Sequence, residues 1–355
     1  MRYLLLLILI LPTSLLAQRN ILNAKSPEEI GQKTIDELII GADDAPLPYA
    51  YVNERDVLFS MTVWESIDLD ERVNFPLYFP ADTSVVRLER RPLIHYLLTN
   101  ALNNNIDTYE TDILKDKTDI YDLNDRLKYR KILPGADDDP IGITRISLEA
   151  GTKKEFLILN NVDLGEFAGI DEFAFNLENE KEATDFAEFD AEMERLIFEN
   201  NLLNPDDFVE SEFDYADVIE YRIKGVWYFD KRQAELKYRP IAIAPYMIAP
   251  FDKYQLIDNP EHEYQPVRMF WMFYPDTRQV LFEAEAFNEV NTSKPVNFDH
   301  LINSRRFSAF IYKEDNVFQD RRLNEYIPEN ALMQLMESQR IKEKIRNKEQ
   351  DMWSY

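Results

Sequence analysis

The sequence predicts an α+β protein: an antiparallel sheet with flanking helices, a separable N-terminal helix and a charged C-terminal helix. Three patterns lead to this prediction. Apolar and polar residues alternate with a period of two over residues 219–224, as in a half-buried strand. An apolar stripe with helical spacing follows Pro92. A highly charged stretch with a looser apolar stripe closes the chain, over residues 329–355.

The first 17 residues have the features of an export signal. Arg2 precedes an unbroken apolar run over residues 4–11, and Ala17 offers a small residue for cleavage. The alternative is a membrane anchor, but a spanning helix needs about 20 apolar residues and this run is shorter. We therefore expect residues 1–17 to be removed and the mature chain to be a soluble exported protein.

Composition excludes several classes of function. The chain contains no cysteine, which excludes disulfides, thiolate metal sites, a cysteine nucleophile and a lipidated N-terminal cysteine. Its formal net charge of −26 argues against nucleic acid, which is bound through a basic face, and against anionic lipid surfaces. Much of this charge lies in residues 166–217, where 18 residues are acidic and two are basic.

A helix on a tether is predicted for residues 18–48. Ser26 and Glu29 form a capping box, and Pro27 occupies the first helical position. Apolar residues follow at helical spacing to residue 40, and a linker containing Pro46 and Pro48 comes next. We expect the helix over residues 27–40 to be separable from the core, with an apolar face buried on this chain or on another.

Residues 49–165 form the first predicted α+β part. Residues 56–69 are ambiguous between strand and helix. Residues 75–80 are predicted to be extended, because each residue before a proline avoids the helical region. A helix should begin at Pro92 and end near residue 103, and residues 135–140 should form a surface loop.

An acidic helical insertion is predicted over residues 166–217. Apolar residues fall on one helical face, whereas Glu188, Glu192 and Glu194 fall elsewhere. The acidic face either meets a basic surface or simply remains solvated, and the sequence leaves both interpretations open.

Residues 218–328 form the predicted antiparallel sheet part. We expect a hairpin over residues 226–243 with a turn at 230–232, and a bulge at Gly225. A second hairpin is predicted, with strands over residues 267–274 and 279–282 and a turn at Pro275 and Asp276. A short helix capped by Asn297 and a strand over residues 307–312 complete this part.

No motif for chemistry is found. Nucleotide-binding loops, zinc-protease motifs and nucleophile elbows are absent. His95 should be packed or capping, His262 solvated, and His300 lies beside Asp299 without a nucleophile nearby. Residues 137–139, three aspartates, indicate a solvated turn and not a calcium loop. We expect no catalytic residue, cofactor or metal.

The candidate partner-binding residues are aromatic or charged. Dense aromatic runs indicate either a central strand with both faces buried or a partner surface, where Trp and Tyr are enriched. The last helix carries several basic residues in an otherwise acidic protein. It either packs on its own domain or reaches a neighbouring copy. The candidates are Trp227, Tyr228, Phe229, Trp271, Arg340, Lys344, Lys348, Glu188 and Glu192.

The same aromatic stretches resemble the GldN/PorN family of the gliding motility and type IX secretion machinery. The segments of this sequence that carry the resemblance are residues 64–80, 221–232, 236–245, 270–276, 298–308, 311–314 and 330–353. The resemblance implies a periplasmic protein held peripherally at the outer membrane. It also implies ring assemblies of several copies with a GldK/PorK-type lipoprotein, contact with a GldM/PorM-type motor protein, and no catalytic residues.

Two other classes of function remain as alternatives. An envelope hydrolase would need a cleft with convergent carboxylates, and a small-molecule binding module would need a deep pocket with few polar groups. Copurification separates these classes, since a structural subunit should leave the envelope in a very large complex and an enzyme should come off alone.

Overall fold

A computed structural model describes residues 45–82, 91–132, 153–170, 180–203, 208–287, 296–317, 320–328 and 330–353. The predicted export signal, the predicted helix over residues 27–40 and the predicted loop over residues 135–140 lie outside these residues. Within them the chain is α+β, as predicted, with antiparallel sheets and helices.

Eleven strands occur among the described residues. They are β1 (Val57–Asp68), β2 (Thr108–Tyr109), β3 (Lys128–Ile132), β4 (Phe208–Glu212), β5 (Val218–Asp230), β6 (Glu235–Met247), β7 (Val267–Arg268), β8 (Trp271–Phe273), β9 (Glu285–Ala286), β10 (Val296–Asn297) and β11 (Phe310–Glu314).

Ten α-helices occur in the same part of the chain. They are α1 (Phe75–Tyr78), α2 (Leu93–Leu102), α3 (Ile120–Arg126), α4 (Lys153–Leu159), α5 (Glu180–Glu199), α6 (Pro250–Asp258), α7 (Tyr274–Glu283), α8 (Phe298–Asn303), α9 (Leu323–Tyr326) and α10 (Ala331–Trp353).

The chain divides into two compact units. The first comprises Met1–Asn124, Asp214–Ala249 and Glu263–Tyr355, and the second comprises Asp125–Phe213 and Pro250–His262. The division predicted from sequence, at residues 49–165, 166–217, 218–328 and 329–355, stays a prediction.

The first unit is built on a seven-stranded antiparallel sheet. Its strand order is β11-β1-β5-β6-β8-β2, and β7 also pairs with β6. The ambiguous stretch over residues 56–69 is therefore strand, since β1 pairs with both β5 and β11. The predicted β5–β6 hairpin is confirmed, and so is the predicted bulge, because the register shifts between Lys224 and Gly225.

Apolar clusters cover both faces of this sheet. Successive side chains of a strand point to opposite faces, so neighbouring residues of β1 enter different clusters. Met61 and Val63 pack with Ile311, Ile341 and Ile345. On the other face Trp64 packs with residues of β6 and β8, which are Ala242, Ala244, Tyr246 and Trp271.

The prediction of extended structure over residues 75–80 is wrong for its first four residues. Phe75, with φ −51° and ψ −34°, begins the short helix α1, and Pro76 lies in its first turn, where a missing N–H costs nothing. The buried Asn74 fixes this turn. Its amide donates to the carbonyl of Asp68 (2.6 Å) and its side-chain oxygen accepts from the backbone N–H of Ser308 (2.9 Å). Phe79 is extended, as predicted.

The prediction of a second hairpin is also wrong. Only β7 and β8 are strands in that region, and Pro275 begins helix α7 instead of a turn. Tyr274, Thr277 and Leu281 are buried at helical spacing, so the period is helical. Gln279 to Phe282 thus belong to the helix.

The other predicted helices of this unit are confirmed. Helix α2 begins directly after Pro92, and the side chain of Asn297 accepts from the backbone N–H of His300 to cap α8. The predicted strand over residues 307–312 is β11, which begins three residues later. The charged C-terminal helix is α10.

In the second unit β3 pairs antiparallel with β4, and α4 packs on α5. Helix α5 is the predicted acidic amphipathic helix, with Phe189, Met193 and Ile197 buried. Lys153 joins the two helices through Asp190 (2.6 Å) and Glu194 (2.7 Å).

Candidate functional site

Helix α10 packs on the sheet of the first unit through its middle. Ile341 and Ile345 are buried against β1 and β11, and the hydroxyl of Ser338 accepts from the backbone N–H of Ile311 at 2.8 Å. The ammonium of Lys342 donates to the carbonyl oxygen of Ala309. This part of the helix therefore packs on its own sheet, which was one of the two interpretations left open by the sequence.

The beginning of the same helix is apolar and exposed. We call this surface the α10 patch: Leu332, Met333, Leu335 and Met336, which are 67, 49, 57 and 60% exposed. At about 100° per helical residue, its centre is turned by roughly 170° from the stripe of Ser338, Ile341 and Ile345, so it faces away from the sheet. Contiguous exposed apolar side chains of this kind are typical of interaction sites.

The three basic candidates of α10 lie on its surface. Arg340 pairs with Glu337 one turn earlier, and Lys344 reaches Glu314 of β11 at 3.2 Å. Lys348 is exposed. Arg340 and Lys344 are thus already paired within the chain.

The aromatic candidates lie largely inside. Tyr228, Phe229 and Trp271 are buried, which favours the interpretation of these runs as central strands. Trp227 is only half-buried, and its ring lies 5.1 Å from that of Tyr238. Trp227 borders an open cavity.

This cavity has a volume of about 270 Å³ and opens between α10 and the sheet. We call it the α10 cavity. Its apolar lining consists of Trp227, Leu236, Ile311 and Ile345. Its polar lining consists of Glu65, Arg305, Lys342, Arg346 and Glu349.

An ion pair of two buried or half-buried side chains forms one side of the α10 cavity. Both guanidinium nitrogens of Arg305 donate to the carboxylate of Glu65, each at 2.7 Å. The guanidinium also lies over the rings of Tyr238 (4.2 Å) and Trp227 (4.8 Å). Although burial opposes its charged form, the hydrogen bonds to Glu65 raise the pKa of Arg305 above its ordinary value.

A second polar cluster holds the chain just before β1. The Tyr49 ring lies under two guanidinium groups, those of Arg278 (4.2 Å) and Arg239 (4.8 Å). Its hydroxyl donates to the side-chain oxygen of Asn303 at 2.8 Å. Burial raises the pKa of Tyr49 to about 12, so its hydroxyl remains a donor at neutral pH.

Two neighbours of Tyr49 are held in the same way. Arg239 donates to the carbonyl of Ala50 at 3.0 Å, and Arg232 donates to the carbonyl of Tyr51 at 2.9 Å. The chain before β1 is therefore fixed to α8, β6 and the β5–β6 turn over three consecutive residues.

The acidic candidates lie on α5 of the second unit. Glu188 is exposed, and Glu192 pairs with Arg195 at 2.5 Å. Glu194 instead bonds to the mostly buried Lys153, so its charge serves the packing of α4 on α5.

The histidines do not come together. His95 contacts the hydroxyl of Tyr215 at 2.8 Å, and His262 contacts Asp252 at 3.0 Å. His300 is exposed, and its neighbour Asp299 bonds to Tyr274 and Arg278 instead. Among the described residues no group of three or more histidines and carboxylates is arranged to hold a metal ion.

Sequence reasoning missed Glu65, Arg305 and Tyr49. Glu65 occupies a core-facing position of β1, between Val63 and Ile67. A carboxylate in that register signals a buried ion pair, so the position was detectable. Its partner was not, because Arg305 lies 240 residues away in the chain.

None of the described helices combines the length and the apolar character that a membrane span requires. The sequence model of a protein family described as "Gliding motility associated protein GldN" matches residues 52–354. No curated protein matches the chain significantly. The matched range covers the second unit and most of the first, including the α10 cavity and the α10 patch.

Proposed function

Because this chain belongs to the GldN family of gliding motility associated proteins, we propose that it is a structural, non-enzymatic subunit of a ring at the outer membrane. The ring serves type IX protein secretion and gliding. The subunit works in the periplasm by binding a GldK/PorK-type lipoprotein, further copies of itself and a GldM/PorM-type motor protein.

The family match carries this proposal, and the α10 patch supports it. A subunit that works by assembly needs apolar surface which its own core does not use. Four neighbouring exposed Leu and Met side chains on one helix provide such a surface. Met side chains adapt to partners of different shape, and this suits a contact with more than one protein.

The absence of cysteine from the sequence supports the proposed lipoprotein contact. A mature chain without cysteine carries no lipid on a thiol. A position at the outer membrane would then depend on a lipidated partner, and the α10 patch is the surface we assign to that contact.

The experiment is a pull-down of the tagged protein from detergent-solubilised envelopes of cells that glide. We expect the wild type to emerge in a very large complex with a lipoprotein. The double variant Leu332→Ser/Leu335→Ser should emerge mainly alone, because burial of each leucine contributes roughly 1.5–3 kcal/mol to such a contact.

A matched control is the double variant Val73→Ser/Ile113→Ser, which removes two side chains that are 59 and 62% exposed elsewhere in the first unit. It should retain the complex. A wild-type protein that comes off alone overturns the structural role. An intact complex in the Leu332→Ser/Leu335→Ser variant would show that the α10 patch does not form the contact, and the structural role of the protein would still stand.

A further inference from the structure

The α10 cavity has the chemistry of a socket for an apolar segment with acidic flanks. An aromatic ring and three aliphatic side chains line it, with three basic residues, Arg305, Lys342 and Arg346, and two acidic ones, Glu65 and Glu349. We call the α10 side of the opening, with Lys342 and Arg346, its rim. An apolar cavity of about 150 Å³ already admits a benzene-sized group. At about 270 Å³ the α10 cavity therefore takes an aliphatic side chain or two.

The rim lysine is short of a carboxylate partner. Lys342 is half-buried and donates to a backbone carbonyl, that of Ala309. Burial lowers the pKa of Lys342 below its ordinary value, which means that desolvation of its ammonium is incompletely offset. A carboxylate brought to this rim would provide the missing charge.

Residues 49–51 run past the end of the β5–β6 hairpin that also forms this cavity, on the opposite face of the sheet, because Arg239, which contacts Tyr49, alternates with the cavity-face residue Tyr238. Tyr49 donates to Asn303, and Asn303 lies two residues before Arg305, which lines the cavity. Consecutive Cα atoms are about 3.8 Å apart, so Asn303 and Arg305 are separated by at most about 7.6 Å. Arg232 and Arg239, which hold Tyr51 and Ala50, flank the lining residue Leu236 along the chain.

The segment that precedes residues 49–51 carries a matching pattern. Ile35, Leu38 and Ile39 have i, i+3, i+4 spacing. Residues 27–40 also contain four acidic residues and one lysine. Leu38 lies seven residues before the first described residue, which allows a reach of up to about 25 Å for an extended chain.

We propose that residues 27–40 of this same chain dock into the α10 cavity, with Leu38 or Ile35 inserted against Trp227 and Leu236. The acidic residues of the segment then face Lys342 and Arg346. The apolar face of the segment is thereby buried on its own chain.

Cysteine pairing in the full chain tests this proposal, because the protein contains no cysteine of its own. The variant Leu38→Cys/Arg346→Cys places one thiol on the segment and one at the cavity rim. The control Leu38→Cys/Leu332→Cys places the second thiol 14 residues earlier on α10, about 21 Å away. The rate of disulfide formation is then measured for each double variant under the same mild oxidant.

We expect the rim pair to form an intramolecular disulfide at least about tenfold faster than the control, since a disulfide needs Cα atoms within about 7 Å. The pair Ile35→Cys/Arg346→Cys covers the other insertion residue. A product that is a disulfide-linked dimer assigns the cavity to a neighbour's segment and overturns docking within one chain. If neither rim pair exceeds the control, the segment does not occupy the cavity and the proposal fails.

Discussion

Glu65 and Arg305 meet through two hydrogen bonds of 2.7 Å at a position where Glu65 is fully buried. The pair ties the middle of β1 to the turn that follows α8. Taking two charges out of water is costly, and the short bidentate geometry is what offsets that cost. The pair therefore holds two distant parts of the chain in one arrangement.

The first prediction concerns this pair. Glu65→Gln leaves the guanidinium of Arg305 without its counter-charge, so we expect a loss of about 3–5 kcal/mol in the free energy of unfolding. Urea denaturation measures it. The control Glu343→Gln breaks an exposed pair with Arg346 (3.8 Å) and should cost less than about 1 kcal/mol. Equal effects of the two substitutions would show that burial adds nothing.

The second prediction concerns the bulge. A Cβ added at Gly225 would overlap the ring of Tyr238, which is hemmed in by Trp227 and Arg305. Gly225→Ala should therefore destabilise the protein by about 1–3 kcal/mol in urea denaturation. Gly169→Ala, where a Cβ meets nothing within 4 Å, is the control. In a Tyr238→Leu background the effect of Gly225→Ala should shrink, and full additivity would contradict the clash.

The third prediction separates the two parts of α10. Ile341→Ala and Ile345→Ala each open a cavity in the core and should cost about 2–5 kcal/mol. Leu332→Ala and Leu335→Ala remove exposed side chains and should change the free energy of unfolding by no more than about 0.5 kcal/mol. Thermal unfolding of the isolated protein measures both sets. A large effect at Leu332 would mean that the patch is covered within the monomer.

The fourth prediction is a pH dependence. Burial, assisted by the charge of Arg91, lowers the pKa of His95 below its ordinary value of 6.5. The unfolded chain then binds a proton that the folded chain does not. Stability is fully present above pH 6.5 and is lost as the pH falls through 6.5 towards the lowered pKa. His95→Gln should flatten the slope of unfolding free energy between about pH 7.5 and 5.5.

The control for this titration is His300→Gln, because the side chain of His300 is exposed. It should leave the slope as it is in the wild type. If the slope survives in His95→Gln and disappears in His300→Gln, then His95 is not the group responsible.

The fold was most predictable from the sequence where apolar residues kept one spacing, that of a strand or that of a helix, over a whole element. The alternation of apolar and polar residues predicts the β5–β6 hairpin, and Gly225 predicts its bulge. Pro92 predicts the start of helix α2. Residues 274–283 were misassigned because six consecutive apolar or aromatic residues, 269–274, precede Pro275 and suggest a strand and turn. Proline in the first turn followed by Asp276 is equally a helix start, and the burial of Leu281 decides between them.

The site was less predictable than the fold. The surface that α10 meets decides which of its residues are buried, so that Ile341 and Leu332 fall on different sides of the helix. It also decides that Trp227 borders a cavity. That surface is assembled from β1 and β11, which are far apart in the chain. Long-range pairing of this kind leaves no local pattern.

The strand order also has a kinetic consequence. β1, the first strand among the described residues, lies between β5 and β11, so one of its edges lacks its partner until residues 310–314 exist. Contacts between segments so distant in sequence slow folding, because loop closure must precede them. We expect a chain still emerging from the ribosome to keep β1 available to holdase chaperones until residues 310–314 are released.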